Sequence, residues 1–359
     1  MRRYLGAVLI LLGAVGIVGA IGLPLYVAPM VTKLPYDMQA CQKEQKPGCL
    51  KPSIAEATNA QFLQIKFENN ELSVAVNTAN LRSTTEVLPQ AKLTADQQAA
   101  GKLDDNAVIW DVYSTVQRVD TNEVISASTT ELALDRVTGA AVDWSGQWLN
   151  DSGQNSPISY TDQIYKFPFG TEQRSYKIYD TDVKAASEAK FVGVETIEGL
   201  EVYHFAQQIA PTKVDVAASS ILVLISRFAP GATSAEVYYS NTREVWVDPV
   251  TGAFIKVREQ PKQELRADTG ATQQLLNADF AYNQQTIANA VESARSNGSQ
   301  LQLVNLWLPL GLGVVGLILL VVGFLLARTP ASGREPQAWD SALPEPRHSL
   351  RDDSPTLTG

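Results

Sequence analysis

Two charge-free apolar runs, one near each end, constrain this chain more than any other feature. From Leu5 to Val27 there is no Asp, Glu, Lys or Arg. A helix of that length rises roughly 34 Å, enough for a hydrocarbon core of about 30 Å. Leu306 to Ala327 is equally uncharged, and each central Leu, Ile or Val favours insertion by about 0.3–0.6 kcal/mol. Residues 5–27 and 306–327 are therefore expected as transmembrane helices. Arg2 and Arg3 precede the first run, and Arg328 and Arg334 follow the second. Since positive flanks are retained in the cytoplasm, the reading is a two-pass plasma-membrane protein. Residues 1–4 and 328–359 are cytoplasmic, the latter a disordered tail rich in Pro and Ser, and residues 28–305 are extracytoplasmic. A cleaved signal peptide ending near Val18, Gly19 and Ala20 is the rival, but the run exceeds the ~7–15 residues of a signal core. Gly13, Gly16, Gly19 and Gly22, with Gly311, Gly313, Gly316 and Gly323 on the second run, offer surfaces for close helix approach. Neither run carries an ionisable side chain, so no ion path is expected in the helices.

Between the runs the periodicity is that of strands. Leu72 to Val76, Val108 to Tyr113, Phe191 to Glu195, Val202 to Phe205 and Val237 to Tyr239 alternate with a period of two in Val-, Tyr- and Phe-rich sequence. Asp120-Thr-Asn122 and Glu198-Gly199 are hairpin chemistry. Asp135-Arg-Val-Thr-Gly139 and Asp248-Pro-Val-Thr-Gly252 repeat the pattern Asp-x-Val-Thr-Gly, with aspartate opening a turn and glycine taking its left-handed position. The fold class is mainly β (α+β): a large antiparallel, strongly curved β ectodomain between two transmembrane helices. Residues 286–302 place Ile287, Val291 and Ala294 on one face and predict a membrane-proximal helix. The patch containing Ile221, Leu222, Val223, Leu224 and Ile225 is too short to span. It is read as a buried strand or core helix, with a lipid-touching lid as the functional alternative.

The formal net charge of −9 argues against nucleic acid as a partner. Cys41 and Cys49 are the two cysteines, expected as a disulfide in an exported segment. Two cysteines and one outer histidine, His204, do not make a metal site, and no cofactor fingerprint is present. With His348 in the tail, His204 is the one outer base available, and a sheet histidine is the reading preferred to a catalyst. Asp111, Glu172, Asp180, Asp182, Glu244 and Asp248 leave a carboxylate hydrolase as an alternative; no enzyme is the reading adopted. Phe167, Phe169 and Gly170 form an aromatic turn around Pro168, followed by Arg174 and Lys177. The turn is read as a plug, or with the two cations as a holder of a lipid phosphate. Arg243 is a further candidate for anion contact, or a cross-strand ion pair.

Three segments carry a resemblance: Tyr165 to Glu172, Tyr238 to Gly252, and Asp135 to Gly139. They resemble an actinobacterial family of two-pass envelope proteins of unknown function, some members of which are catalogued as porin PorA. The resemblance implies a plasma-membrane protein facing the cell wall, and supplies no catalytic residues. The porin label is judged a misfit, because an outer-membrane barrel has a continuous lipid-facing band and no 20-residue apolar helices. Trp246 to Gly252 is also similar to hairpins of envelope lipid-carrier domains, a likeness of fold alone. The function expected is a module that binds and transfers an envelope lipid or lipoglycan, with a scaffold for a membrane glycosyltransferase as the alternative.

Overall fold

The computed structural model describes residues 2–38, 49–68, 71–151 and 153–328. The chain opens with helix α1 (Arg2–Gly22), a π-helical turn (Leu23–Val27) and α2 (Ala28–Val31). Next come β1 (Ser53–Glu68), β2 (Glu71–Pro89), α3 (Ala91–Ala99), β3 (Ala107–Arg118), β4 (Val124–Asp135), β5 (Ala140–Ala141), β6 (Trp148–Asn150), β7 (Ser156–Pro157), β8 (Asp162–Gln163) and β9 (Tyr176–Asp180). Then follow β10 (Ala185–Ile197), β11 (Leu200–Val214), α4 (Ala218–Phe228), β12 (Ala235–Val247), β13 (Phe254–Glu259), β14 (Lys262–Ala267), β15 (Thr272–Asn277) and β16 (Phe280–Tyr282). Helix α5 (Gln284–Gln302), a second π-helical turn (Leu303–Trp307) and α6 (Leu308–Arg328) end the described chain.

The sheet closes on itself. Hydrogen-bonded neighbours run β11-β10-β9-β8-β5-β4-β3-β2-β1-β15-β14-β12, and β12 pairs back onto β11, giving a closed 12-strand barrel. The closing ladder is long, from Tyr203 opposite Val247 to Val214 opposite Val237. It leaves no free edge between those strands, which is what closure achieves for a sheet of this size. Strands β13 and β16 continue the wall beside β14 and β15, with β16 pairing β1. This corrects the expected strongly curved β ectodomain held between two transmembrane helices. Alternation assigns a strand its two faces but says nothing about which edges meet, so closure was invisible in the sequence.

Local chemistry explains the hairpins. Glu198 and Gly199 take positive φ values of 49° and 77°, the tight turn suited to right-twisted strands, between β10 and β11. Outside the wall, α5 buries Ile287, Val291 and Ala294 against Val202, Trp246 and Ile255. Its start is capped by Asn283, whose side chain accepts from the Thr286 N–H. Helix α4 sits at the opposite end of β11 and β12 from their hairpin turns, with Leu224 packed among Val74, Val237, Leu265 and Leu275.

Residues 2–18 of α1 and 312–328 of α6 belong to a second compact unit. They touch through glycines: a methyl group on Gly6 would come 2.8 Å from the Gly323 carbonyl oxygen, and one on Gly13 would come 2.7 Å from that of Gly316. The close approach uses Gly13, Gly16, Gly316 and Gly323 of the expected set, with Gly6 added, whereas Gly22 and Gly311 meet nothing within 4 Å. Among the described residues two helical runs, Tyr4–Val31 and Gln284–Arg328, are long and apolar enough to cross a membrane by length and composition. The second joins the expected neck helix and the second apolar run into one continuous helix. The expected Cys41–Cys49 bridge has one partner, Cys41, outside the described residues, as is the tail beyond Arg328.

Candidate functional site

The two Asp-x-Val-Thr-Gly turns meet on one short segment. In the first, an Asp135 carboxylate oxygen accepts from the N–H groups of Val137 and Thr138 at 3.0 and 2.6 Å. In the second, Asp248 accepts from Thr251 N–H at 2.9 Å and Thr251 Oγ1 at 2.5 Å. Gly139 and Gly252 both sit at positive φ, 68° and 72°. Between these turns runs Lys166–Thr171, a strap bound to both. The Phe167 N–H donates to the Gly252 carbonyl at 2.8 Å, Gly170 to Val250 at 3.1 Å and Thr171 to Pro249 at 2.8 Å. From the other turn, the Val137 carbonyl accepts from Phe169 N–H at 3.3 Å.

The strap sends Phe167 inward, fully buried among Tyr176, Ile178, Ala189, Phe205, Val245 and Val247. Its ring lies 4.6, 4.8 and 5.6 Å from those of Tyr176, Phe205 and Phe254. Burying such a side chain contributes about 1.5–3 kcal/mol, and each aromatic pair adds about 0.5–1.5 kcal/mol. Lys166 is also buried. Its Nζ donates to the Phe167 carbonyl at 2.9 Å and stands 3.8 Å above the Phe169 ring centre. Burial lowers this amine to about 7, against the opposing charges of Asp248 and Asp135.

Further along the inner face lies a charge cluster. Arg243 of β12 donates to the Tyr179 carbonyl of β9 at 3.3 Å, although β10 and β11 lie between those strands. A side chain reaching that far is possible only on the concave side of the wall, so Arg243 points inside the ring. Its guanidinium pairs with Asp180 at 3.2 Å and with Glu259, and donates to Gln207 Oε1 at 2.9 Å. Tyr239 donates to Asp180 at 3.1 Å. Asp182 accepts from Gln263 Nε2 at 3.3 Å. It is open to water yet crowded by protein, and that crowding, with the charges of Asp180 and Glu259, pushes its carboxyl up to about 7 in spite of Arg243.

The structure sorts the candidates read from sequence. Arg243 is committed to two carboxylates and is not free for an incoming anion. Arg174 turns to Glu172 at 2.8 Å and over the Tyr176 ring at 4.4 Å, while Lys177 stands exposed on β9. On α4, Leu224 and Ile225 are buried, Ile221 and Val223 half-buried and Leu222 exposed. Asp180 and Glu244 lie on opposite faces of the wall, since Glu244 alternates with inward Arg243 and pairs with Arg258 at 3.6 Å. They cannot flank one glycosidic bond. His204 stacks on Trp246 with ring centres 4.3 Å apart, its Nδ1 2.9 Å from Glu195 and its Nε2 3.3 Å from Glu244. Lys166, Gln207, Tyr239 and Glu259 escaped the sequence reading. Only Lys166 left a signal there, as a lone cation inside an aromatic-proline run.

A closed wall, an inward aromatic plug and a charge cluster on the inner face define a β-barrel protein with a strapped end. The family model described as Porin PorA matches residues 5–325, and the chain belongs to that family. It is 24% identical over 409 residues to a protein named Porin PorA from Corynebacterium resistens (strain DSM 45100 / JCM 12819 / GTC 2026 / SICGH 158), covering 91% of this chain and 97% of the relative. It is 23% identical over 387 residues to another Porin PorA, from Corynebacterium amycolatum, covering 90% and 98%. These findings bear out the resemblance to the PorA family. With the closed barrel, they overturn the lipid or lipoglycan transfer module, the glycosyltransferase scaffold, the carboxylate hydrolase and the rejection of a porin. They equally overturn the two-pass plasma-membrane address with an extracytoplasmic domain. Long apolar helices and a closed barrel are not mutually exclusive, since this chain contains both.

Proposed function

We propose that this chain works as a porin, carrying small water-soluble solutes through the inside of its 12-strand ring, and that the conformation described is the shut one. The observation that carries this reading is closure of the wall around the cluster of Arg243, Asp180, Glu259 and Asp182. Burying charges in a protein core costs several kcal/mol per ion, and that cost is lessened where water reaches the groups, as it does Asp182. Family membership and the printed name of both relatives support the same reading. The address that goes with it is the outer membrane of the cell envelope. In the shut state the Lys166–Thr171 strap lies across one end, with Phe167 filling the space beneath it.

The test is solute efflux from liposomes reconstituted with the full chain, comparing the native protein with Phe167→Ala. The variant is expected to release a small sugar or salt at least tenfold faster than protein-free vesicles, and faster than the native chain. Protein-free rates for both would overturn the reading.

A further inference from the structure

Lys166 occupies an unusual position for a cation. Its stem packs against Gly139 of the first turn, and its amine is held between the Phe167 carbonyl and the Phe169 ring. Two carboxylates act on it through their charge, Asp248 of the second turn and Asp135 of the first. Both are already bonded within their own turns, to Val137 and Thr138 and to Val250 and Thr251, and neither forms an ion pair with Lys166 among the described residues. Arg136, next to Asp135, is turned the other way, onto the Tyr36 ring and the Leu34 carbonyl. A buried ammonium that lacks a close counter-ion is disfavoured relative to the neutral amine.

We propose that Lys166 is the latch of the strap: with its amine neutral the buried stem lets Lys166–Thr171 stay docked between the two turns, and taking up a proton favours release of the strap together with the Phe167 plug. The direction follows from proton linkage. Docked, the amine is lowered to about 7 by burial, against Asp248 and Asp135; released into water it regains its ordinary value of about 10.4. Between those limits the released strap binds more protons than the docked one. Docking therefore strengthens by up to about tenfold per pH unit as pH rises through this window. Below about pH 7 the weakening is complete and further acid changes nothing. The latch itself does not depend on the porin reading; only its consequence for solute passage does.

Hydrogen exchange of the strap amides in the full chain, corrected for intrinsic rates and measured from pH 7 to 9.5, tests this directly. Protection at Phe167, Gly170 and Thr171 is expected to rise by up to about tenfold per pH unit. In Lys166→Met, which keeps the buried stem, protection should be high and independent of pH, and Lys166→Gln serves as a second variant should methionine disturb folding. A native profile that is flat, or one unchanged in both variants, overturns the latch. Efflux measured in parallel separates the two readings. A pH-dependent strap without efflux in any variant sinks the porin and leaves the latch, whereas efflux with a flat strap profile does the reverse.

Discussion

The turns Asp135–Gly139 and Asp248–Gly252 share a sequence pattern and a local structure, yet differ in what they hold. Both are capped by their aspartate and closed by a left-handed glycine. Asp248 is only 2% exposed, whereas Asp135 is half-buried. Gly252 lies against the backbone of the strap at Phe167 and Pro168, while Gly139 lies chiefly against the Lys166 side-chain stem. Identical short-range chemistry thus makes one turn the fixed seat of the strap and the other its adjustable side. Local sequence dictates the turn; the segment packed on it dictates how much stability rests there.

Substitutions at matched positions test that contrast. The largest effect is expected from Gly252→Ala, where a methyl group would overlap the Phe167 carbonyl and φ of 72° adds about 1–2 kcal/mol of left-handed strain. A loss of roughly 4 kcal/mol or more, or failure to fold, should appear in thermal unfolding, since a backbone atom cannot step aside. Asp248→Ala comes next, at about 2–3 kcal/mol, because it strands buried donors of Val250 and Thr251. For Gly139→Ala we expect about 1–2 kcal/mol, mainly left-handed strain, with the Lys166 stem shifting to make room. Asp135→Ala should cost the least, about 1 kcal/mol, as water can replace a half-exposed cap. Equal losses at the two glycines would break the comparison, and equal losses at the two aspartates would confine it to the glycines.

Much of this architecture was legible in the sequence, and the reasons for the rest are physical. Alternation in Val108 to Tyr113 and Val202 to Phe205 gave strands, and Glu198-Gly199 gave a hairpin, because both signals are local. The two Asp-x-Val-Thr-Gly turns were readable for the same reason. Ring closure was not, since it rests on Tyr203 meeting Val247 and Val214 meeting Val237 across α4. The aromatic turn at Phe167 was read as a plug, but its partners at Gly252 and Val137 come from distant strands. Arg243 was recognisable as a candidate. Its engagement with Asp180 across two intervening strands needed the curvature of the wall, which no residue pattern states.

A ring that serves as a passage shut at its strapped end should open when its plug is removed. Single-channel recording across a planar bilayer, native chain against Phe167→Ala, tests it most directly. Rare openings are expected for the native protein, and stepwise, frequently open conductance for the variant, whose strap has lost its plug. A variant as silent as the bare bilayer, although folded and inserted, would contradict it.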